Sequence, residues 1–487
     1  MQKFTVIFNP GEICVSVDAG ITVLEAMRLA GLRADAPCGG SGTCGKCRVE
    51  IGGEEVLACQ TVIEGDMTVT VPQEEKTAIL HGGIAVTAKP DGEHEFVLAF
   101  DVGTTTIVCY LLDGKTGAVL AQASVRNPQT AYGADVISRL EYANTKSSEE
   151  LLTCVRAALA DLTREAAAKA GIAPDAITLA AVVGNTAMHH LLFGYDPQPL
   201  LTPPYMPSQF EALELPAAGI LPIAACGTVR AAANIAGFVG GDTVGCMAAL
   251  RFDKLEELTL LIDIGTNGEM VLGDRSGRIA CSTAAGPAFE GAKISMGMRG
   301  APGAVDRVWL EDGAVRHHVI GEEKAVGLCG SGLLDLVAVL LDLGEITETG
   351  RMPCRKYTLP GTEVVLTQKD VREVQLAKGA IRAGIELMAE RRGASAADIR
   401  AVKLAGAFGN YLDPASACRI GMIPPLLQER IEGIGNAAGE GAKLMALSKE
   451  EFAYASSLAR DTEFLELASL PQFQDAFVDA LQFEEDE

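Results

Sequence analysis

Four cysteines, spaced Cys38-x5-Cys44-x2-Cys47-x11-Cys59, are of a type and pattern suited to redox chemistry. Three stand in a glycine-rich segment, PCGGSGTCGKC, and the fourth in LACQTV. Four thiolates suit a [2Fe–2S] cluster. Gly39, Gly40, Gly42 and Gly45 let the backbone curl around the sulfurs and aim N–H groups at them. The chemistry this predicts is carriage of one electron. Structural zinc is an alternative, but it favours paired C-x2-C knuckles, and here only Cys44 and Cys47 pair that way. Unligated thiols are the other alternative. Gly40-x-Gly42-x-x-Gly45 also matches a dinucleotide fingerprint by letter, yet no strand precedes it and no helix follows, so that match is rejected.

A second chemistry is written in a pair of turns. FVLAF-Asp101-Val-Gly103-Thr104-Thr105-Thr106 is echoed by LTLLI-Asp263-Ile-Gly265-Thr266-Asn267-Gly268-Glu269. Each is an apolar strand, an Asp, then a glycine turn with hydroxyl or amide side chains. Such a turn offers backbone N–H groups and hydroxyls to a phosphate. An Asp at the strand end can hold Mg2+ directly or through water. Two such turns facing each other would grip a polyphosphate from both sides, and their repetition suggests a duplicated unit. Two ordinary hairpins with Asp/Gly turns are the plainer reading. No G-x4-GK[ST] occurs, so the chain is not a P-loop protein. A third element, AVKLAGAFGNYLD, places Gly406, Gly409 and Asn410 after a late strand, where an adenosine could lie against the backbone. Small residues in IAGFVGGDTVGCMAA and GNAAGEGA would let two helices cross closely at a hinge.

These residues need elements to hold them. QKFTVIF and EICVSV read as a hairpin, Thr22 caps a short helix VLEAMRLAG, and short strands follow around Val49–Ile51, Val56–Ala58 and 67–71. Strand, strand, helix, cysteine loop, strands is the order of a β-grasp ferredoxin, assigned to residues 1–75. Residues 72–95 are charged, Gly/Pro-containing and aperiodic, and a linker is placed at 76–95. From Phe96 apolar runs and glycine loops alternate with long helices, the clearest from Ser148 to Ala170, which implies an α/β core over 96–487. Its two subdomains are placed at roughly 96–256 and 257–487.

Composition narrows the partners. The chain has 487 residues, a net charge of −24 and no basic run, so nucleic acid and anionic membranes are unlikely partners. No secretory signal or membrane-length apolar stretch is legible. Thirteen cysteines without such a signal imply a reducing, cytoplasmic setting. Nine of them, scattered singly, read as buried inert thiols, with Cys329 in GLCGSGLLD the one to watch.

The x5, x2 cysteine spacing resembles adrenodoxin-like ferredoxins. Phosphate-1, connector, phosphate-2, adenosine and second connector, in that order, resemble the superfamily of actin, the heat-shock ATPase chaperones and the sugar kinases. Together with VVGNTAMHHLLFG, AGPAFEGA and GLCGSGLLDLV, the whole chain resembles the reductive activators of corrinoid proteins. One departure is that only the short linker separates ferredoxin from ATPase. The resemblance implies an ATP-hydrolysing enzyme that passes one electron from a [2Fe–2S] cluster to a corrinoid protein of a methyl-transfer system. Cobalt would go from Co(II) to Co(I). It further implies an upstream electron donor and a homodimer. Asp101 and Asp263 would organise Mg2+; Gly103, Thr104, Thr105, Gly265, Thr266 and Asn267 would clamp phosphates; Gly406, Gly409 and Asn410 would border adenosine. Asp242 and Asn185 would position water, though Asp242 could equally cap a helix. His189 and His190 would be packing or exposed residues, or one a cobalt-site contact; Ser331 would cap a helix or meet an anion.

ATP is needed because plant-type clusters sit near about −400 mV, and the resemblance implies a lower potential still for the cobalt. Each 100 mV uphill costs about 2.3 kcal/mol per electron. Two other functions stay open: ATP-gated electron delivery to a different low-potential enzyme, and a nucleotide-gated ferredoxin module without turnover.

Overall fold

A computed structural model describes residues 2–484 apart from 33–35, 37–39, 41, 43–44, 73–83, 85–88, 266, 284, 287 and 292. Cys38, Cys44, Gly39, Thr266 and most of the expected linker therefore lie outside the described residues. The first unit is a five-stranded sheet ordered Ile13–Asp18, Lys3–Asn9, Met67–Thr70, Arg48–Ile51, Glu54–Leu57 among the described residues. Lys3–Asn9 runs antiparallel to Ile13–Asp18 and parallel to Met67–Thr70. The helix Val23–Leu29 begins where expected, because Thr22 and Glu25 form a reciprocal capping box. Its apolar side, Val23, Leu24, Ala26 and Met27, packs on Val6, Phe8, Val17, Val49 and Val69 to make a separate small core. This is a ferredoxin-type β-grasp fold.

The rest of the chain is an α/β unit built twice. Among the described residues, one six-stranded sheet is ordered Leu213–Pro216, Thr228–Ala231, Ile177–Gly184, Phe96–Val102, Thr106–Asp113, Val119–Arg126. The other is ordered Ile431–Gly435, Ala401–Ala405, Thr259–Ile264, Gly268–Asp274, Gly277–Thr283, Thr462–Phe464. In each, the Asp-bearing strand pairs antiparallel with the strand after its turn and parallel with a later strand. Phe96–Val102 lies beside Ile177–Gly184 as Thr259–Ile264 lies beside Ala401–Ala405. The repeat reaches further than the sequence echo. Thr228–Ala231 leads to the helix Gly241–Leu250, and Ile431–Gly435 leads to the helix Ala437–Leu447. This is the duplicated actin-like architecture.

Those two helices meet backbone to backbone. A Cβ on Gly245 would lie 2.9 Å from the Ala438 carbonyl oxygen, and one on Gly441 would collide with the Gly245 carbonyl. The small residues thus permit a close crossing, which brings Asp242 and Asn436, at the helix starts, to one cleft. The core around the crossing draws residues from both sheets, Val97 and Ala99 from one, Leu261, Val271 and Ala280 from the other. At the near end of the expected linker, Asp91 Oδ2 accepts from the Lys449 backbone N–H at 3.1 Å and Glu93 pairs with Lys449 at 2.6 Å. Among the described residues no helix is long and apolar enough to cross a membrane.

Candidate functional site: a nucleotide cleft and a cysteine loop

Between the two sheets lies a cavity of about 900 Å3, and both Asp/Gly turns line it. Asp101, Gly103, Thr104 and Thr105 come from one turn; Asp263, Gly265 and Asn267 from the other; Asn185, Asp242, Gly406 and Asn410 also line it. Strand register explains the opposition, since Asp101 and Asp263 occupy equivalent places one residue before the strand ends of Phe96–Val102 and Thr259–Ile264. Each turn is closed by its glycine N–H, the first over three residues and the second over two. The Gly103 N–H donates to Thr106 O and the Gly265 N–H to Asn267 O, both at 2.9 Å. These two N–H groups serve the turns themselves, so the later N–H groups and the side chains are left to meet a phosphate.

The carboxylates beside the two turns act on one another. Burial pushes Asp101 and Asp263 up to about 7 and Asp242 to about 6. Asp242 adds to the rise at Asp101, and Asp242 and Asp101 both add to it at Asp263. Glu269, not assigned a role from sequence, is raised well above its ordinary value by burial, Asp242 and Asp263. Buried carboxylates this close want a cation, and no basic side chain contributes to the shifts of Asp101, Asp242 or Asp263. Among the described residues no three His, Cys, Asp or Glu side chains converge as direct metal ligands. That donor set fits Mg2+, which keeps waters and takes only one or two carboxylates plus substrate phosphates.

The described residues expected at the site each have a definite place. Asn185 caps the helix Thr186–Phe193, its Oδ1 accepting from the Met188 N–H at 2.9 Å, while its Nδ2 donates to Thr104 Oγ1 at 2.8 Å. One N–H and the oxygen of the amide are engaged, so Asn185 orients the first turn and keeps its second N–H for the cavity. Asp242 lies in the first turn of Gly241–Leu250 and accepts from the Thr243 N–H at 2.7 Å, so a helix-start role and a cavity position coexist. GAFGNY forms a short helix, Gly406–Tyr411, rather than an open loop. Gly406 has φ +80°, and a Cβ there would lie 2.7 Å from Asp263 Oδ1. Gly409 is not in the cavity wall; its Cα side packs on Leu404, where a Cβ would sit 3.0 Å from the Leu404 Cβ. Asn436, missed from sequence, caps Ala437–Leu447, donates from Nδ2 to Tyr110 OH at 3.3 Å and works against the rise at Asp101. Glu290, Arg299 and the stacked Phe289–Phe408 pair (centroids 5.2 Å apart) line the cavity too.

Other candidates lie elsewhere. His189 and His190 are buried, which removes both the exposed and the partner-contact readings. His190 Nδ1 meets Thr186 O at 2.8 Å and its Nε2 accepts from the Ser208 N–H at 2.9 Å, so the ring is held neutral. Ser331 Oγ donates to Asp306 O at 2.8 Å, and its helix, Gly330–Asp342, is capped at Cys329 without a side-chain bond. Cys329 and Ser331 line the cavity.

The cysteine loop is visible at Cys47 and Cys59. The hairpin Arg48–Ile51/Glu54–Leu57 explains their x11 spacing: it pairs Arg48 with Leu57, and the Ala58 N–H donates to Cys47 O at 2.8 Å. Residues far apart in sequence thus start and end the same hairpin. Gly40 adopts φ +104°, and a Cβ there would meet Leu24 at 3.1 Å and the Cys59 Cβ at 3.9 Å. Gly40 therefore lies against Cys59, which suits a cluster ligated by both segments.

Comparison with known proteins matches this arrangement along the chain. Residues 6–70 match a family model described as a 2Fe-2S iron-sulfur cluster binding domain. Residues 96–255 match one described as the RACo middle region, and 257–487 one described as the C-terminal domain of RACo, the ASKHA domain. The corrinoid activation enzyme RamQ of Eubacterium limosum is 36% identical over 438 residues, covering 83% of this chain and 74% of that protein. The chain belongs to the corrinoid-activation family. A second relative in the family comparison, the [Co(II) methylated amine-specific corrinoid protein] reductase of Methanosarcina barkeri, is 34% identical over 236 residues, 43% of either chain. A solved structure of a reductive activator for corrinoid, iron-sulfur protein superposes with a TM-score of 0.71 at 28% identity, covering 99% of this chain and 98% of that one.

Proposed function

We propose that this member of the corrinoid-activation family is an ATP-dependent reductive activator. It delivers one electron from a [2Fe–2S] cluster to the cobalt of a corrinoid protein in a methyl-transfer system, taking Co(II) to Co(I). The observation that carries the ATP half is the buried set of Asp101, Asp242, Asp263 and Glu269, which line one cavity with both turns. Asp101 and Asp263 organise Mg2+, and Asp242 sets the charge that the ion offsets. Thr104, Thr105, Thr266 and Asn267, with the turn backbones around Gly103 and Gly265, hold phosphates. Gly406 and Asn410 border adenosine, with Gly409 behind them. Asn185 holds Thr104 for this task. Cys38, Cys44, Cys47 and Cys59 hold the cluster, which when bound supplies a one-electron couple.

Residues 1–75 form the cluster unit, 76–95 the linker, and 96–487 the ATPase in two lobes, roughly 96–256 and 257–487. The enzyme works as a homodimer in the cytoplasm, fed by an upstream electron donor. ATP hydrolysis acts through differential binding: only a state that binds the corrinoid partner differently from the other can help an uphill electron. The test is absorbance of a corrinoid partner mixed with the reduced chain. Conversion to the Co(I) spectrum with Mg-ATP and little without it is the expected result. Equal conversion without ATP would leave the chain a plain electron carrier.

A further inference from the structure

Among the described residues, Arg28 and Lys46 of the cluster unit reach across to the ATPase, and both contacts lead to the same phosphate turn. The Arg28 Nε donates to Ala131 O at 3.1 Å, and its guanidinium lies over the rings of Tyr132 and Tyr142 at 5.2 and 5.7 Å. Ala131 ends the single-turn helix Pro128–Ala131, which Asn127 caps. Asn127 is wholly buried; its N–H donates to Thr105 O and its side-chain amide to Gly103 O, both at 2.8 Å. On the other side, Lys46, next to Cys47, donates from Nζ to Gly291 O at 3.4 Å. The neighbouring Glu290 accepts from Thr105 Oγ1, again at 3.4 Å. Gly291 has no slack: a Cβ there would lie 2.5 Å from the Met298 backbone nitrogen, and Met298 and Arg299 line the cleft.

We infer that Arg28 and Lys46 are positioning residues that dock the cluster unit in competition with phosphate at the Gly103–Thr106 turn. The competition follows from the donor count. Thr105 has one hydroxyl proton. Without phosphate it goes to Glu290; a phosphate held in the turn takes that donor and sets its own negative charge against the Glu290 carboxylate. Glu290 and Gly291 then shift together, and the carbonyl that receives Lys46 moves with them. Nucleotide thereby releases the cluster unit toward a partner, and loss of nucleotide redocks it. Reciprocity is required: if nucleotide weakens docking, removing the docking contacts strengthens nucleotide binding by the same factor. This rests on the nucleotide-cleft reading above.

The experiment uses the full-length, cluster-loaded chain, with loading checked by visible absorbance, and a non-hydrolysable ATP analogue with Mg2+. Titration calorimetry compares the natural chain with the double variant Arg28→Ala/Lys46→Ala. The expected result is a Kd lower in the variant by about fivefold or more, the size of an ordinary coupling. Lys46→Arg alone, which keeps the cation, should stay near the natural value. In the natural chain, hydrogen exchange over the helix Val23–Leu29 should rise when the analogue binds. Equal or weaker binding by the double variant, or exchange unchanged by the analogue in the natural chain, overturns the competition. Failure of the natural chain to bind the analogue at all overturns the cleft reading instead.

Discussion

At the scale of single residues, the cleft is poised against itself. The folded chain holds protons on Asp101, Asp242 and Asp263 that the unfolded chain would have released, because burial raises all three above the ordinary Asp value of 3.8, and neighbouring carboxylates add to the rise at Asp101 and Asp263. For an acid with a raised folded pKa, the native state binds more protons than the unfolded one between the two values, so stability falls as pH rises through that window. In EDTA, the melting temperature should therefore drop between about pH 4 and pH 7, and Mg2+ with nucleotide should recover it. Asp242→Asn should raise the metal-free melting temperature at pH 8, with a stabilisation on the order of 1–3 kcal/mol, since one pKa unit corresponds to about 1.4 kcal/mol. A flat metal-free profile would mean the carboxylates are already compensated. Asp263→Asn should instead cost about 100-fold or more in ATP hydrolysis, because the proposed mechanism has this carboxylate hold the ion. His189 follows the opposite sign. Burial pushes it down to about 3, and among the described residues neither ring nitrogen has a hydrogen-bond partner. A base with a lowered folded pKa loses stability as pH falls below its unfolded value, so His189→Phe should melt higher than the natural chain at pH 5.5, by about 1 kcal/mol or more. Equal melting at pH 5.5 would show that the ring is not held neutral by the fold.

At the scale of elements, legibility depended on how much chemistry a segment carries in its own letters. Asp-x-Gly-Thr after an apolar strand is readable because strand, turn and side-chain types are contiguous, and both turns fold as hairpins where expected. The capping box at Thr22 and Glu25 is equally local. The deeper repeat was not readable. The strands Thr228–Ala231 and Ile431–Gly435 are short, and the loops that carry each to its helix differ, so no shared pattern survives in sequence. Glu269 and Asn436 stood inside quoted motifs, but their role comes from Asp242, Asp263 and Asp101 arriving from other strands and helices. Gly409 has a local role that its place after a strand does not show: it lets a short helix sit on Leu404. The helix crossing, by contrast, was announced by small residues and can be tested there. Gly441→Val puts side-chain carbon against the Gly245 carbonyl in a core shared by both lobes. It should destabilise by about 3 kcal/mol or more in denaturant unfolding, and a loss below about 1 kcal/mol would mean the helices can slide apart cheaply.

At the scale of the whole molecule, the cores decide what unfolds together. The cluster unit packs Val6, Phe8, Leu24, Met27 and Val69 into a core of its own. The two ATPase lobes instead share the central cluster that joins Val97 and Val183 to Leu261 and Ala405. Arg28 and Lys46 tie the cluster unit down through carbonyl and ring contacts, and among the described residues the two units share no apolar core. Heating should thus give two transitions. The first is read by bleaching of the cluster's visible absorbance; the second by fluorescence of Trp309, the only tryptophan, on the strand Ala304–Glu311 of the C-terminal lobe. Mg-ATP analogue at about 100 times its Kd should stabilise the second step by about 2.7 kcal/mol, moving its midpoint up by a few degrees. The first step should move less, or downward, because nucleotide favours the undocked unit. One shared midpoint for both signals, shifted equally by nucleotide, would show that the chain melts as a single block, and that the cluster unit is held by far more than the contacts at Ala131 and Gly291.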